Sequence, residues 1–158
     1  MNLKPKELTK SAVIAAIYVV LTMVLAPISF GPVQCRVSES LCVLPIFTPY
    51  AIPGLFLGCL ISNLIGGAGV FDVVFGSLTT LVSAILTRKF KSNKFLALFF
   101  PVILNAVVIG FYLSILMSET GFSMIGFLTF ALQIGIGQVI ACYGLGLPLI
   151  SILKKVIF

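Results

Sequence analysis

Residues 88 to 117 read RKFKSNKFLALFFPVILNAVVIGFYLSILM, a cluster of four basic residues followed by a run without a single charge. A helix needs about 20 apolar residues to cross a hydrocarbon core about 30 Å thick, and the run from Phe95 to Met117 meets that length. The basic cluster then marks a loop held beside the membrane. The composition agrees: 60% of the 158 residues are hydrophobic, 9% are charged and the mean hydropathy is +1.26. A soluble domain of this size could not hide so much apolar surface, so its solvent is lipid.

Outward from this stretch, apolar segments run over residues 11 to 30, 38 to 48, 50 to 65, 71 to 87, 95 to 117 and 122 to 153. This pattern predicts an all-α polytopic membrane protein, a bundle of six transmembrane helices. No apolar run is set apart from a polar domain, so residues 1 to 158 read as a single integral membrane domain. The second segment is too short to cross as a regular helix and carries Pro45, so it is expected to be tilted, broken or partly inserted. The first segment, SAVIAAIYVVLTMVLAPISF, follows basic residues as a secretory signal does. Its apolar core is longer than an h-region and no A-x-A-like site follows, so it reads as the first span.

Charge sets the orientation. Lys4, Lys6 and Lys10 precede the first span, Arg88, Lys89, Lys91 and Lys94 follow the fourth, and Lys154 and Lys155 close the chain, leaving Arg36 as the tenth basic residue. The positive-inside rule makes both termini and the 88 to 94 loop cytoplasmic, which needs an even number of crossings before that loop. The net charge of +6 does not indicate nucleic acid, because the basic residues lie at chain ends and in one loop. They read as topology signals and contacts to membrane phospholipid. Arg36, Glu39, Asp72 and Glu119 then fall at the outer face, where ions at span ends are tolerable. No ionisable group is expected near mid-membrane, which argues against a small proton-coupled exporter with a buried carboxylate relay.

Several chemistries have no residues to support them. The chain has no His, and Cys35, Cys42, Cys59 and Cys142 form no CxxC, so neither a zinc site nor a redox dithiol is expected. The cysteines read as small packing residues. GGAG at residues 66 to 69 lacks the GK[ST] ending of a phosphate loop, so the chain is not expected to use ATP by itself. With no metal cluster and no base beside a nucleophile, an intramembrane enzyme is a weak alternative, and no cofactor is expected. An autonomous homo-oligomeric channel or exporter is the other alternative.

What remains is a polar constellation. Arg36 and Glu39 begin the second segment, Asn63 lies near the outer end of the third, and Asp72 begins the fourth, so four polar groups meet at one depth. Asn105 and Gln133 lie deeper, Gln133 about 15 Å below the outer start of its span, where either could form a pocket floor. Each also has a structural explanation. Ser38 is placed to cap the second helix with Glu39 in its first turn, Arg36 can pair with Glu39 or lipid phosphate, and Asp72 suits a first turn. Asn63, Asn105 and Gln133 can bond between helices. Gly54 and Gly58 form a GxxxG expected to pack inside the chain. Ser11 with Ala15, and Ala12 with Ala16, form a small-residue face suited to a partner helix.

VQCRVSESLCVLPIFTPYAIPGLFLGCLISNLIGG and FDVVFGSLTTLVSAILTRK, with only three residues between them, resemble the queuosine-precursor transporter family (QueT); the block from Val33 to Arg88 is the specific part, and the resemblance extends over nearly the whole chain. These proteins are S components, the substrate-binding membrane subunits of energy-coupling factor (ECF) transporters. The resemblance implies six helices in the plasma membrane and an outward-facing site for a 7-deazaguanine base or queuine. It also implies a complex with a transmembrane coupling protein and two cytoplasmic ATPases; an S component for another vitamin-like heterocycle is the variant reading. Glu39 would accept from the guanine-like edge, Arg36 donate to its carbonyl and Asp72 meet an aminomethyl cation. Asn63 and Gln34 would complete the polar contacts, with Phe30 or Phe71 as a stacking face. Ser11, Ala12, Ala15 and Ala16 resemble the docking face for the coupling protein. Cys35 and Cys42 depart from the pattern, standing where an aromatic and a small or branched residue are expected.

Overall fold

A computed structural model describes residues 5–30, 35–118 and 121–157; Lys4, Gln34 and Glu119 lie outside them. The described residues are helical and carry no strand. Helix α1 spans Pro5–Val24 and is followed by a single turn, α2, at Ala26–Ser29. A 3-10 segment, Val37–Val43, runs into the one-turn α3, Leu44–Phe47, and then α4 spans Ala51–Ile65. A π turn at Asp72–Gly76 leads into α5, Ser77–Lys89, and α6 spans Lys94–Leu116. Helix α7, Met124–Val139, continues through a second π turn, Ile140–Leu145, into α8, Gly146–Ile157.

Among the described residues three stretches are long and apolar enough to cross a membrane: Pro5–Val24, Lys94–Leu116 and Met124–Lys155. Shorter apolar helices occupy Val37–Phe47 and Ala51–Ile65. The molecule is therefore a helical membrane protein.

The second segment departs from a regular helix, and Pro45 supplies the reason. Proline has no N–H to give the Leu41 carbonyl, which accepts from the Leu44 amide instead, an i to i+3 bond of 3-10 type. The 3-10 rise of about 2.0 Å per residue lets residues 37–47 cover roughly 20 Å, more than an α-helix of that length. The expected Ser38 cap is not made: no side chain caps this helix, and the Ser38 hydroxyl lies 2.7 Å from that of Thr22. From Ser38 to Val43 every residue is buried. Leu41 and Cys42 pack with Tyr18, Leu55, Cys59 and Ala84, while Val43 packs with Leu98, Cys142 and Ile150. The short segment is thus the axis around which the longer helices close.

Helices α1 and α4 meet through small residues. A Cβ at Gly54 would stand 2.7 Å from the Ser11 carbonyl oxygen, and one at Gly58 would stand 2.7 Å from the Tyr18 Cβ. In α6, Pro101 cannot bond the Ala97 carbonyl, and the Thr87 hydroxyl of α5 donates to it at 3.0 Å. Asn93 starts α6 by accepting from the amides of Phe95 and Leu96.

The two ends of the bundle differ in charge. At one, the Arg88 guanidinium donates to the Pro45 and Ile46 carbonyls, and Tyr50 donates to Glu7 beneath Lys10. Toward the other lie Arg36 and Asp72, in the candidate site.

Candidate functional site

Arg36 is delivered to the interior because it immediately precedes the buried 3-10 segment; it is only 3% exposed. Its Nε donates to the Ser29 carbonyl at 3.4 Å, its Nη1 lies 3.8 Å from the Cys59 sulfur, and its Nη2 lies 3.7 Å from Asp72 Oδ1. The Phe30 ring covers the guanidinium at 5.3 Å. Nη2 has no hydrogen-bond partner although it is buried.

Asp72, at the start of the π turn, accepts from the Tyr112 hydroxyl at 2.5 Å, and its backbone carbonyl accepts from Asn63 Nδ2 at 2.8 Å. Gly76 makes room for this contact, since a Cβ there would stand 3.2 Å from Asn63 Nδ2. Asn63 Oδ1 is buried and unpartnered, as is the Ser29 hydroxyl. A cavity of about 240 Å³ opens beside Asp72, lined also by Phe30, Ala68, Phe71, Tyr112 and Met117. A buried donor and a buried acceptor left without partners are costly, and a polar guest that pairs with both would remove the penalty.

Glu39 occupies a different position from that expected. It is 1% exposed, Oε1 accepts from the Tyr18 hydroxyl at 2.5 Å, and Oε2 lies 3.0 Å from the Cys42 sulfur. Tyr18 is six residues inside the Val24 end of α1, about 9 Å along the helix. Glu39, Arg36 and Asp72 are all buried inside the protein. The pairing of Arg36 with Glu39 is also corrected, since the ion pair joins Arg36 to Asp72.

The other expected residues divide. Phe30 and Phe71 join Asp72 at the cavity, Arg36 and Asn63 stand behind Asp72 and do not line it, and neither do Glu39, Asn105 and Gln133. Asn105 donates to the Pro101 carbonyl of its own helix, and Gln133 is half-buried on α7. Gln34 lies outside the described residues. Ser11 and Ala15 are buried against α4, with Ser11 donating to the Tyr50 carbonyl, whereas Ala12 and Ala16 are exposed. The four-residue face is thus split between an internal seam and the surface.

Tyr18, Tyr112 and Cys59 were not anticipated. Tyr18 continues the buried stripe Ser11, Ala15, Tyr18, Thr22, and Tyr112 continues Asn105 and Ile109, so helical spacing held the signal. Cys59 accepts from Arg36, Asn63 and Thr80, a role nothing in its neighbourhood of sequence announces. Among the described residues no group of three or more His, Cys, Asp or Glu is placed to hold a metal ion.

Fold and site together define an all-helical membrane protein with a buried charged site off its axis. A sequence model of the QueT transporter family matches residues 8–155, and the chain belongs to that family. The queuosine precursor transporter QueT of Lactococcus lactis subsp. cremoris (strain MG1363) is 40% identical over 98 residues, 58% of this chain and 57% of that protein. The match therefore spans little more than half the length of that relative. No solved structure matches the chain.

Proposed function

We propose that this chain is the S component of an ECF-type ABC uptake transporter, binding a queuosine precursor, a 7-deazaguanine base or queuine, at the outer face of the plasma membrane. In this reading residues 1 to 158 form one domain of six transmembrane helices with both termini cytoplasmic. A separate coupling protein and two ATPases supply the energy. Membership of the QueT transporter family and the name of the Lactococcus relative support the class. The observation that carries the site is two buried atoms without a hydrogen-bond partner, Arg36 Nη2 and Asn63 Oδ1, beside Asp72.

A 7-deazaguanine presents a carbonyl acceptor next to ring and amine donors. Arg36 Nη2 donates to the carbonyl, Asn63 Oδ1 accepts from the donor edge, and Asp72 faces an aminomethyl cation. Phe30 and Phe71 sandwich the base. Glu39, whose oxygens already accept from Tyr18 and Cys42, serves by fixing the 3-10 segment from which Arg36 projects.

The test is purification from the native membrane with mass spectrometry of whatever small molecules and proteins accompany the chain. A 7-deazapurine, a transmembrane partner and two ATPases are expected. A different heterocycle with the same partners would change the substrate and keep the class. Uptake by the isolated chain in liposomes without ATP would replace the proposal with an autonomous channel or exporter.

A further inference from the structure

The Asp72 cavity shares two of its walls, Phe71 and Tyr112, with a second and larger cavity on the outside of the bundle. This one, about 410 Å³, lies between the π turn and α6, with Phe127 of α7 closing one side, and is lined by Phe71, Phe75, Val107, Val108 and Phe111 among others. Its lining is aromatic and aliphatic apart from the hydroxyl of Tyr112, which is turned to Asp72. A further cavity of about 210 Å³ shares Phe75 and Val108 and continues along the same helices past Leu78, Val82 and Leu104. The two together make one groove between α5 and α6.

The length of this groove identifies its occupant. From Ile115 to Leu104 it follows α6 for eleven residues, about 17 Å at the helical rise. One leaflet of a bilayer has a hydrocarbon depth of about 15 Å, half the core thickness. Helix α6 is of spanning length, and Phe71, Phe75 and Phe111 at the lip are 47%, 44% and 51% exposed. The groove is therefore bathed in lipid tails and has the length of one of them. Phe71 stacks on Phe75 and on Tyr112 with ring centroids 6.1 Å apart in each case, which ties the lip to the wall shared with the Asp72 cavity.

We infer that the groove between α5 and α6 is a binding site for one acyl chain of a membrane phospholipid, which braces the aromatic wall formed by Phe71 and Tyr112. The wall has the acyl chain on one side and the Asp72 cavity on the other. A filled groove restricts movement of the Tyr112 ring and so holds its hydroxyl on Asp72. An empty one removes contacts from one side of the ring and lets it turn away.

The test uses the whole chain in nanodiscs of phosphatidylcholine and phosphatidylglycerol, doped with a phospholipid carrying a diazirine in its acyl chain. After photolysis, peptide mass spectrometry should find labelling concentrated at residues 71–82 and 104–111, several times that at Leu128 and Leu132 of α7, which are at least as exposed. Val108→Trp, which fills the groove, should abolish the excess. Phe111→Trp, at the half-exposed lip, makes the same test without loading the interior. Equal labelling of groove and α7 would mean ordinary lipid contact and overturn the site. Labelling that is lost when the chain is kept with its native protein partners would assign the groove to a protein instead.

The coupling to Asp72 is read separately and rests on the proposed function. Affinity for aminomethyl-7-deazaguanine should fall severalfold when phospholipid is stripped away by detergent, and return when it is restored. Val108→Trp, carrying its own ring in the groove, should lose this dependence. Binding by the wild type that is indifferent to phospholipid would overturn the brace. If the wild type bound no 7-deazapurine at all, the proposed function would fail while the photolabelling still decided the acyl-chain site.

Discussion

Arg36 and Asp72 form the ion pair between the buried charges, 3.7 Å apart with side chains 4% and 10% exposed. Removing one partner from a buried pair leaves the other charge uncompensated, which costs about 3–5 kcal/mol. Asp72→Asn should therefore lower the unfolding temperature in detergent sharply and abolish ligand binding. Arg36→Met added to it should recover much of the stability and none of the binding. A double variant no more stable than Asp72→Asn would show that the pair contributes little. Glu39 makes a different prediction. Tyr18→Phe removes the donor to Oε1 and leaves a buried carboxylate oxygen unpaired, at about 1–3 kcal/mol. Glu39→Gln should cost a similar amount, because an amide cannot accept from both Tyr18 and Cys42. A Glu39→Gln protein with wild-type thermal stability and no ligand affinity would return Glu39 to direct contact with the ligand. At this scale the sequence made the ionic residues legible and left their partners hidden. Few charges stand in an apolar chain, so Arg36, Glu39 and Asp72 are conspicuous. Tyr18, Cys59 and Tyr112 are ordinary components of apolar helices, and only the folded chain aims them at the charges.

The elements show why some of the pattern could be read and some could not. Small residues four apart in α1 and α4 announce a close helix contact. Spacing alone does not say which of two neighbouring pairs faces inward, and the fold selects Ser11 with Ala15. The difference is testable. A side chain at Gly58 would meet Tyr18 at 2.7 Å, so Gly58→Leu should part α1 from α4, pull Tyr18 from Glu39 and lower stability by roughly 1–3 kcal/mol or more. Ala12→Leu with Ala16→Leu, on the exposed side, should leave thermal stability and ligand affinity near wild type. If that face docks on the coupling protein, the same pair should prevent co-purification and uptake. Normal uptake would remove Ala12 and Ala16 from the docking surface. The segment from Val37 to Phe47 was legible as irregular, because it was short and carried Pro45. Its burial was not, because VSESLCV contains three polar residues in seven, a composition that reads as the edge of a membrane. Thr22 and Tyr18 of α1 receive Ser38 and Glu39, and without those partners the segment would have to stay in water.

For the whole molecule the apolar runs made the membrane class plain, and the distribution of charge suggested which end faces which side. Helix geometry adds a constraint independent of charge. Helix α5 ends at Lys89 beside the start of α6 at Lys94, and the Arg88 side chain bonds the Pro45 and Ile46 carbonyls just before the turn into α4, so this end gathers two chain reversals. Residues Phe30, Gly69, Asp72 and Met117 meet around the cavity toward the other end. Ser92 and Ser118 therefore report opposite ends of α6. Single cysteines at these positions, probed with an impermeant maleimide in whole cells, decide the orientation. A fully cysteine-free background would disturb Cys42, Cys59 and Cys142, which are buried and contact Glu39 and Arg36. Replacing Cys35 alone is enough, since it is the one cysteine that is partly exposed. With the 88 to 94 loop cytoplasmic, Ser118→Cys should label in intact cells and Ser92→Cys only after the membrane is opened. The reverse result would put the Asp72 cavity on the cytoplasmic side, where it could not capture an external base. Labelling of both positions from outside would mean that α6 does not cross the membrane, and the proposed six-helix arrangement would fall with it.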